Sequence, residues 1–257
     1  MITKILSKNN IKLKHIRALA QKKARTEAGE FVVEGFKSVQ DAFYAGQKIE
    51  QVVLSQSFYK TENISFLKQE QLLLVPDEIF IGLADTVSPQ GILAVLKMKE
   101  NVAFALNPEH AYLYCDGVSD PGNLGTMIRT ADAAGFGGVL LSSNTVDVYN
   151  PKTVRASMGS FFHIDLVCGL QAEDLLGYRE QGFSLFGGCL GEDVIDYREA
   201  DFRKPSVLVI GNEANGISEE VLKLCQGVKI PIAGRAESLN AAVAAGILMY
   251  ELFRQRS

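Results

Sequence analysis

Hydrophobic and polar positions along this chain fall into short apolar runs separated by stretches of helical periodicity. Between Ile11 and Gln21 basic and apolar residues interleave at roughly helical spacing, and Phe31–Val33 then reads as a short strand ended by Glu34 and Gly35. A helix is predicted over Val39–Ala45, a strand over Gln51–Leu54, a helix over Asp77–Ala84 and a strand over Ile92–Leu96. This first α/β block has ordinary domain size. Lys97–Glu109 is charged and irregular, with Pro108 near its end, and predicts a boundary that divides the chain into residues 1–105 and 106–257.

From Ala111 the alternation becomes regular. Strands are predicted over Tyr112–Cys115, Gly138–Leu141, Ile164–Val167, Ser184–Phe186, Val207–Ile210 and Val228–Ile232. Helices fall between them over Leu124–Ala134, Pro151–Met158 and Ala172–Glu180, and a last one covers Asn240–Arg254. Such alternation predicts a parallel α/β sheet.

Composition changes this picture in three places. The net charge of −4 argues against wholesale nucleic-acid coating, yet Met1–Thr26 contains no acidic residue while carrying Lys4, Lys8, Lys12, Lys14, Arg17, Lys22, Lys23 and Arg25. Such a stretch can contact several phosphates, or form a solvated helix face. Cys115, Cys168, Cys189 and Cys225 are far apart without a C-x-x-C pair, and His15, His110 and His163 are equally scattered, so buried thiols and no metal site are expected. No apolar run has signal-peptide or membrane-spanning character, which predicts a soluble, cytoplasmic protein without a membrane partner.

Three loops concentrate the candidate chemistry, each between a predicted strand and a helical pattern, where α/β proteins build their sites. In DPGNLGTMIR, Pro121 and Gly122 read as a turn, Gly125 as a point of close backbone approach, and Arg129 as a guanidinium able to grip a phosphate; an arginine closing a surface salt bridge fits equally. IGNEANGI places Glu213 at the end of a very apolar strand. IPIAGRAESLN places Ser238 and Asn240 before the last helix, where either also serves as N-cap. None matches a dinucleotide or P-loop fingerprint.

In this order and spacing the loops resemble the three signature motifs of the SpoU/TrmH family of RNA ribose methyltransferases, within the SPOUT superfamily. The resemblance covers LYCDGVSDPGNLGTMIRTADAAGF, VLVIGNEANGIS and IPIAGRAESLNAAVAAGI, with NPKTVRASMGS between the first two; Ala214 and Ile217 are small departures. The first half, with FVVEG, is similar to the family's small substrate-binding domain, itself similar to a ribosomal protein.

The resemblance implies a parallel-sheet C-terminal domain with a deep trefoil knot, S-adenosylmethionine as cofactor, and a homodimer whose active site draws on both subunits. It implies cofactor contacts at Gly211, Ile230, Ile232, Ala233 and Leu239, and an active site of Asn123, Arg129, Glu213, Ser238 and Asn240. Lys152 and Arg155, for which structural pairing fits equally, join Lys12, Lys14 and Arg17 as RNA-binding candidates. The implied reaction is 2′-O-methylation of a ribose in structured RNA. Ribosomal RNA is preferred because a separate N-terminal domain goes with ribosomal enzymes of the family. The alternatives are a transfer RNA enzyme, a non-catalytic RNA-binding or assembly protein on the same fold, and a dinucleotide-binding metabolic enzyme.

Overall fold

The two kinds of apolar pattern build two sheets. The computed structural model describes residues 2–99, 105–191 and 194–257. In chain order the first elements are β1 (Thr3–Lys4), α1 (Ile11–Ala18), α2 (Lys22–Ala28), β2 (Glu30–Glu34), α3 (Phe36–Tyr44), β3 (Ile49–Ser55), α4 (Gln56–Thr61), β4 (Leu72–Val75), α5 (Asp77–Ile81) and β5 (Ile92–Lys97). They are followed by β6 (Ala111–Asp116), α6 (Pro121–Ala133), β7 (Gly138–Ser142), α7 (Pro151–Ala156), β8 (Asp165–Leu170), α8 (Ala172–Glu180) and β9 (Ser184–Gly188). The chain closes with β10 (Ile195–Asp196), β11 (Ser206–Gly211), α9 (Glu219–Leu222), β12 (Gln226–Lys229) and α10 (Ala241–Arg256). The divider predicted within Lys97–Glu109 falls partly outside the described residues.

The molecule divides into two units, Met1–Glu100 with Tyr149–Phe162, and Asn101–Val148 with His163–Ser257. A single cut at residue 105 assigns 149–162 to the second part of the chain, whereas they pack with the first unit. The reason is aromatic: Phe31, 1% exposed, holds its ring 4.8 Å from Tyr149 and 5.5 Å from Phe161.

The first unit carries a mixed sheet ordered β1-β4-β3-β5-β2. Leu13, Ile16 and Leu19 pack with Val53, Leu73, Phe80 and Val95 in its core. The helix expected through Gln21 stops at Ala18, because the buried Arg25 on α2 donates to the Leu19 and Ala20 carbonyls, both at 2.8 Å, and satisfies the end of α1. β4 was absent from the predicted pattern. Its four residues are too few to show a period, and burial on both faces leaves no alternation to read.

The second unit is built on a seven-stranded sheet ordered β10-β12-β9-β11-β6-β7-β8, and the pairings of its strands are parallel. β6, β7 and β11 are buried along their whole length, as expected for central strands of a parallel sheet. β6 and β11 lie side by side, with β7 flanking one and β9 the other, so the strand order reverses between them. This reversal is where α/β sheets open a crevice at their carboxyl ends. Asp116 and Gly211 are register partners, which sends the loops after β6 and β11 off the sheet together. The strand predicted to reach Ile232 ends at Lys229, since its neighbours end at Gly188 and Asp196.

Candidate active site

The start of α6 sets the first side of the site. Asp120 accepts from Asn123 N at 2.8 Å as N-cap and Pro121 takes the first helical position, where its missing N–H costs nothing. The helix therefore begins a turn earlier than Leu124: Pro121 and Gly122 are helical instead of forming a free turn. Gly125 is buried within the helix, away from any open approach.

Glu213, in the loop after β11, organises the site. Its Oε2 accepts from Ser119 N at 3.0 Å and Ser119 Oγ at 2.8 Å; its Oε1 accepts from Asp120 N at 3.1 Å and Asn123 Nδ2 at 2.9 Å. Burial raises the pKa of this carboxyl, but the donors from Asn123 and Ser119 outweigh that and hold it at about 2. Asn123 Oδ1 accepts in turn from Asn240 Nδ2 at 3.0 Å. Asn240 serves as the N-cap the sequence allowed, its Oδ1 accepting from Ala242 N and Val243 N at the start of α10, and its amide nitrogen joins the polar chain.

A cavity of about 440 Å³ opens beside this chain, over the carboxyl ends of β9, β11 and β12. Cys189, Leu190, Ile217 and Ile230 give it apolar walls, and Gly211, Asn212 and Ser238 bring polar backbone and side chains to its edge. Gly211 is required for its shape, since a Cβ there would stand 2.1 Å from the Gly216 carbonyl carbon. The volume and the mix of apolar wall with exposed backbone fit a nucleoside-bearing cofactor such as S-adenosylmethionine. Of the residues expected to contact it, Gly211, Ile230, Ile232 and Leu239 line the cavity and Ala233 does not.

Other expected site residues are dispersed. Arg129 is exposed on α6 and makes no ion pair or side-chain hydrogen bond among the described residues. Arg155, on α7 in the first unit, is held by Asp85 at 2.6 Å, and Lys152 lies exposed on the same helix. Lys12 and Lys14 are exposed on α1, but Arg17 donates to the carbonyls of Lys8 at 2.7 Å and Gly82 at 3.2 Å, so its guanidinium is committed to the fold. Cys115 is fully buried, while the other three cysteines are half-buried. No cluster of metal-ligating side chains occurs, and no helix is long and apolar enough to cross a membrane, among the described residues.

Ser119 and Asp116 escaped the sequence reading, and Asn212 was read only as part of the IGNEANGI loop. Ser119 supplies two of the donors to Glu213. Asn212 clamps its loop by donating to the Gly117 carbonyl and accepting from Ala214 N and Asn215 N, and Asp116 accepts from Ser218 N at 2.7 Å. A Ser-Asp pair before proline signals a helix start; nothing in its spacing shows that the serine's partner lies 94 residues away.

Residues 110–250 match the SpoU rRNA Methylase family and residues 10–94 the MRM3-like substrate binding domain. The chain is similar to the Bacillus subtilis (strain 168) 23S rRNA (guanosine(2553)-2'-O)-methyltransferase RlmP, with 36% identity over 96% of this chain and 98% of that protein. It is similar to the 23S rRNA (uridine(2479)-2'-O)-methyltransferase of Streptomyces viridochromogenes, with 32% identity over 93% of this chain and 87% of that one. The crystal structure of an AdoMet-bound rRNA methyltransferase from Sinorhizobium meliloti superposes with a TM-score of 0.89 at 35% identity, covering 98% of both chains.

Proposed function

The chain belongs to the SpoU rRNA Methylase family, and from that premise we propose that it transfers the methyl group of S-adenosylmethionine to a ribose 2′-oxygen of ribosomal RNA. The observation that carries this reading is Asn240, which caps the helix lining the cavity and donates to Asn123 of the polar chain, so the cavity and the polar groups form one site. Ribosomal RNA is favoured over transfer RNA because the full-length relatives described above act on 23S rRNA. They modify different nucleotides at similar identity, so the target position does not transfer from them.

The residues divide the work. Gly211, Ile230, Ile232 and Leu239 would hold the cofactor, which supplies an electrophilic methyl on a sulfonium when bound. The acceptor hydroxyl must shed its proton as the new bond forms. Glu213 is unsuited to take it, because four donors already occupy its oxygens and keep its basicity low. Arg129 is no base either, since a guanidinium is a donor only, with no lone pair to offer a proton. We assign Arg129 to gripping the adjacent phosphate and polarising the 2′-oxygen, which lowers the cost of shedding its proton. Asn123 and Asn240 orient the ribose, and Ser238 shapes the cavity edge.

The same reading includes a trefoil knot in the second unit and a homodimer. Support for the dimer comes from α10, where Val243, Tyr250 and Phe253 are 52%, 49% and 47% exposed at helical spacing, an apolar stripe suited to a second copy. The first unit would hold RNA through Lys4, Lys8, Lys12, Lys14 and Lys22, which are exposed and have no ion-pair partner among the described residues.

The test is transfer of labelled methyl from S-adenosylmethionine into unmodified ribosomal and transfer RNA by wild type and Arg129→Ala, with mapping of alkali-resistant positions. Arg129-dependent incorporation at one ribosomal 2′-oxygen is expected. Incorporation only into transfer RNA would replace the substrate, and cofactor binding without incorporation into either would remove the assignment to these RNAs.

A further inference from the structure

The Asn123 amide can sit in two orientations that exchange its donor and acceptor. One is selected here: Nδ2 donates to Glu213 and Oδ1 accepts from Asn240. Both neighbours enforce it. Asn240 has its oxygen occupied by the start of α10 and can offer only its nitrogen, and Glu213 can only accept while it stays ionised and in place. The remaining amide protons of Asn123 and Asn240, and the second lone pair of Asn123 Oδ1, are the valences left for a ribose.

Ser119 supplies both donors to Glu213 Oε2, through its backbone N–H and its hydroxyl. The backbone N–H would survive any non-proline substitution, so the side chain's own contribution is the hydroxyl. That hydroxyl has no task in starting α6, since Asp120 already caps it and Pro121 fills the first position. Resting on the function proposed above, we infer that Ser119 is a positioning residue for methyl transfer, fixing the Glu213 carboxylate and through it the orientation of Asn123.

The experiment compares Ser119→Ala and Ser119→Thr with wild type. Ser119→Ala should lower kcat roughly tenfold, the scale of one hydrogen bond to a charged group, and leave S-adenosylmethionine affinity unchanged; Ser119→Thr, which keeps the hydroxyl, should restore the rate. The Glu213 carboxyl, followed by carbon-13 NMR without substrate, should titrate at higher pH in the alanine variant and near its wild-type position in the threonine variant. Wild-type kcat in Ser119→Ala, or a loss that threonine does not rescue with the Glu213 titration unmoved, would overturn the inference. A wild type inert on RNA would instead sink the functional reading, while the titration still decides whether Ser119 holds Glu213.

Discussion

Glu213 and Arg129 are charged side chains assigned to one reaction, yet their surroundings are opposite. Glu213 has both oxygens filled by donors from Ser119, Asp120 and Asn123, while Arg129 stands exposed without a side-chain partner among the described residues. A saturated carboxylate has no lone pair free for chemistry and spends its charge on geometry. An unengaged guanidinium keeps its five donors for something the free chain lacks. Under the proposed function, the difference separates the part of the site that is pre-built from the part left for substrate.

Removing the waiting group should have the largest effect: Arg129→Ala is expected to lower kcat by roughly 10²- to 10³-fold, the scale of a lost oxyanion-stabilising donor, with calorimetric S-adenosylmethionine affinity intact. A comparable loss of cofactor affinity would show that Arg129 belongs to the pre-built part. Next comes Glu213→Gln, where one end of the side chain becomes a donor facing donors; a roughly 10- to 100-fold drop in kcat is expected. The pH behaviour follows from sign. The folded carboxyl is held below its ordinary value, at about 2, so its contribution is complete above the ordinary value and is lost only as pH falls toward 2. Glu213 should therefore remain ionised at pH 4 in an NMR titration, and half-protonation at that pH would contradict the saturated network.

Smaller effects separate free from committed cations in the first unit. Lys12→Glu with Lys14→Glu should weaken binding of ribosomal RNA fragments about tenfold and flatten its salt dependence, leaving cofactor affinity unchanged. Arg17→Ala should act on stability instead, by about 1 kcal/mol for hydrogen bonds lost to two carbonyls. It is read as a lowered melting temperature with RNA affinity preserved at temperatures where the protein stays folded.

Much of this was legible beforehand, and what was missed has physical reasons. Strands such as Val207–Ile210 announce themselves because burial on both faces demands unbroken apolar residues, and α8 matches its predicted span, Ala172–Glu180. Asn123, Glu213 and Asn240 were marked by motif and do meet. Ser119 was not, since its role depends on a contact across 94 residues that no local period encodes. Arg17 and Arg155 were marked as candidates by charge, which is visible in a sequence, while the particular carbonyls and carboxylate that engage them in the fold are not. The strands Ile195–Asp196 and Thr3–Lys4 are too short to leave any pattern.

The return of Tyr149–Phe162 to the first unit has a consequence for synthesis and for engineering. A nascent chain that has emerged only to residue 100 still lacks the aromatic lid over Phe31, which arrives after β6 and β7 have been made. Completion of the amino-terminal unit is therefore delayed until part of its carboxyl-terminal neighbour is already outside the ribosome. A graft of the first hundred residues onto another enzyme would carry Phe31 without its Tyr149 and Phe161 neighbours, and a transplantable first unit needs the later fourteen-residue piece supplied as well.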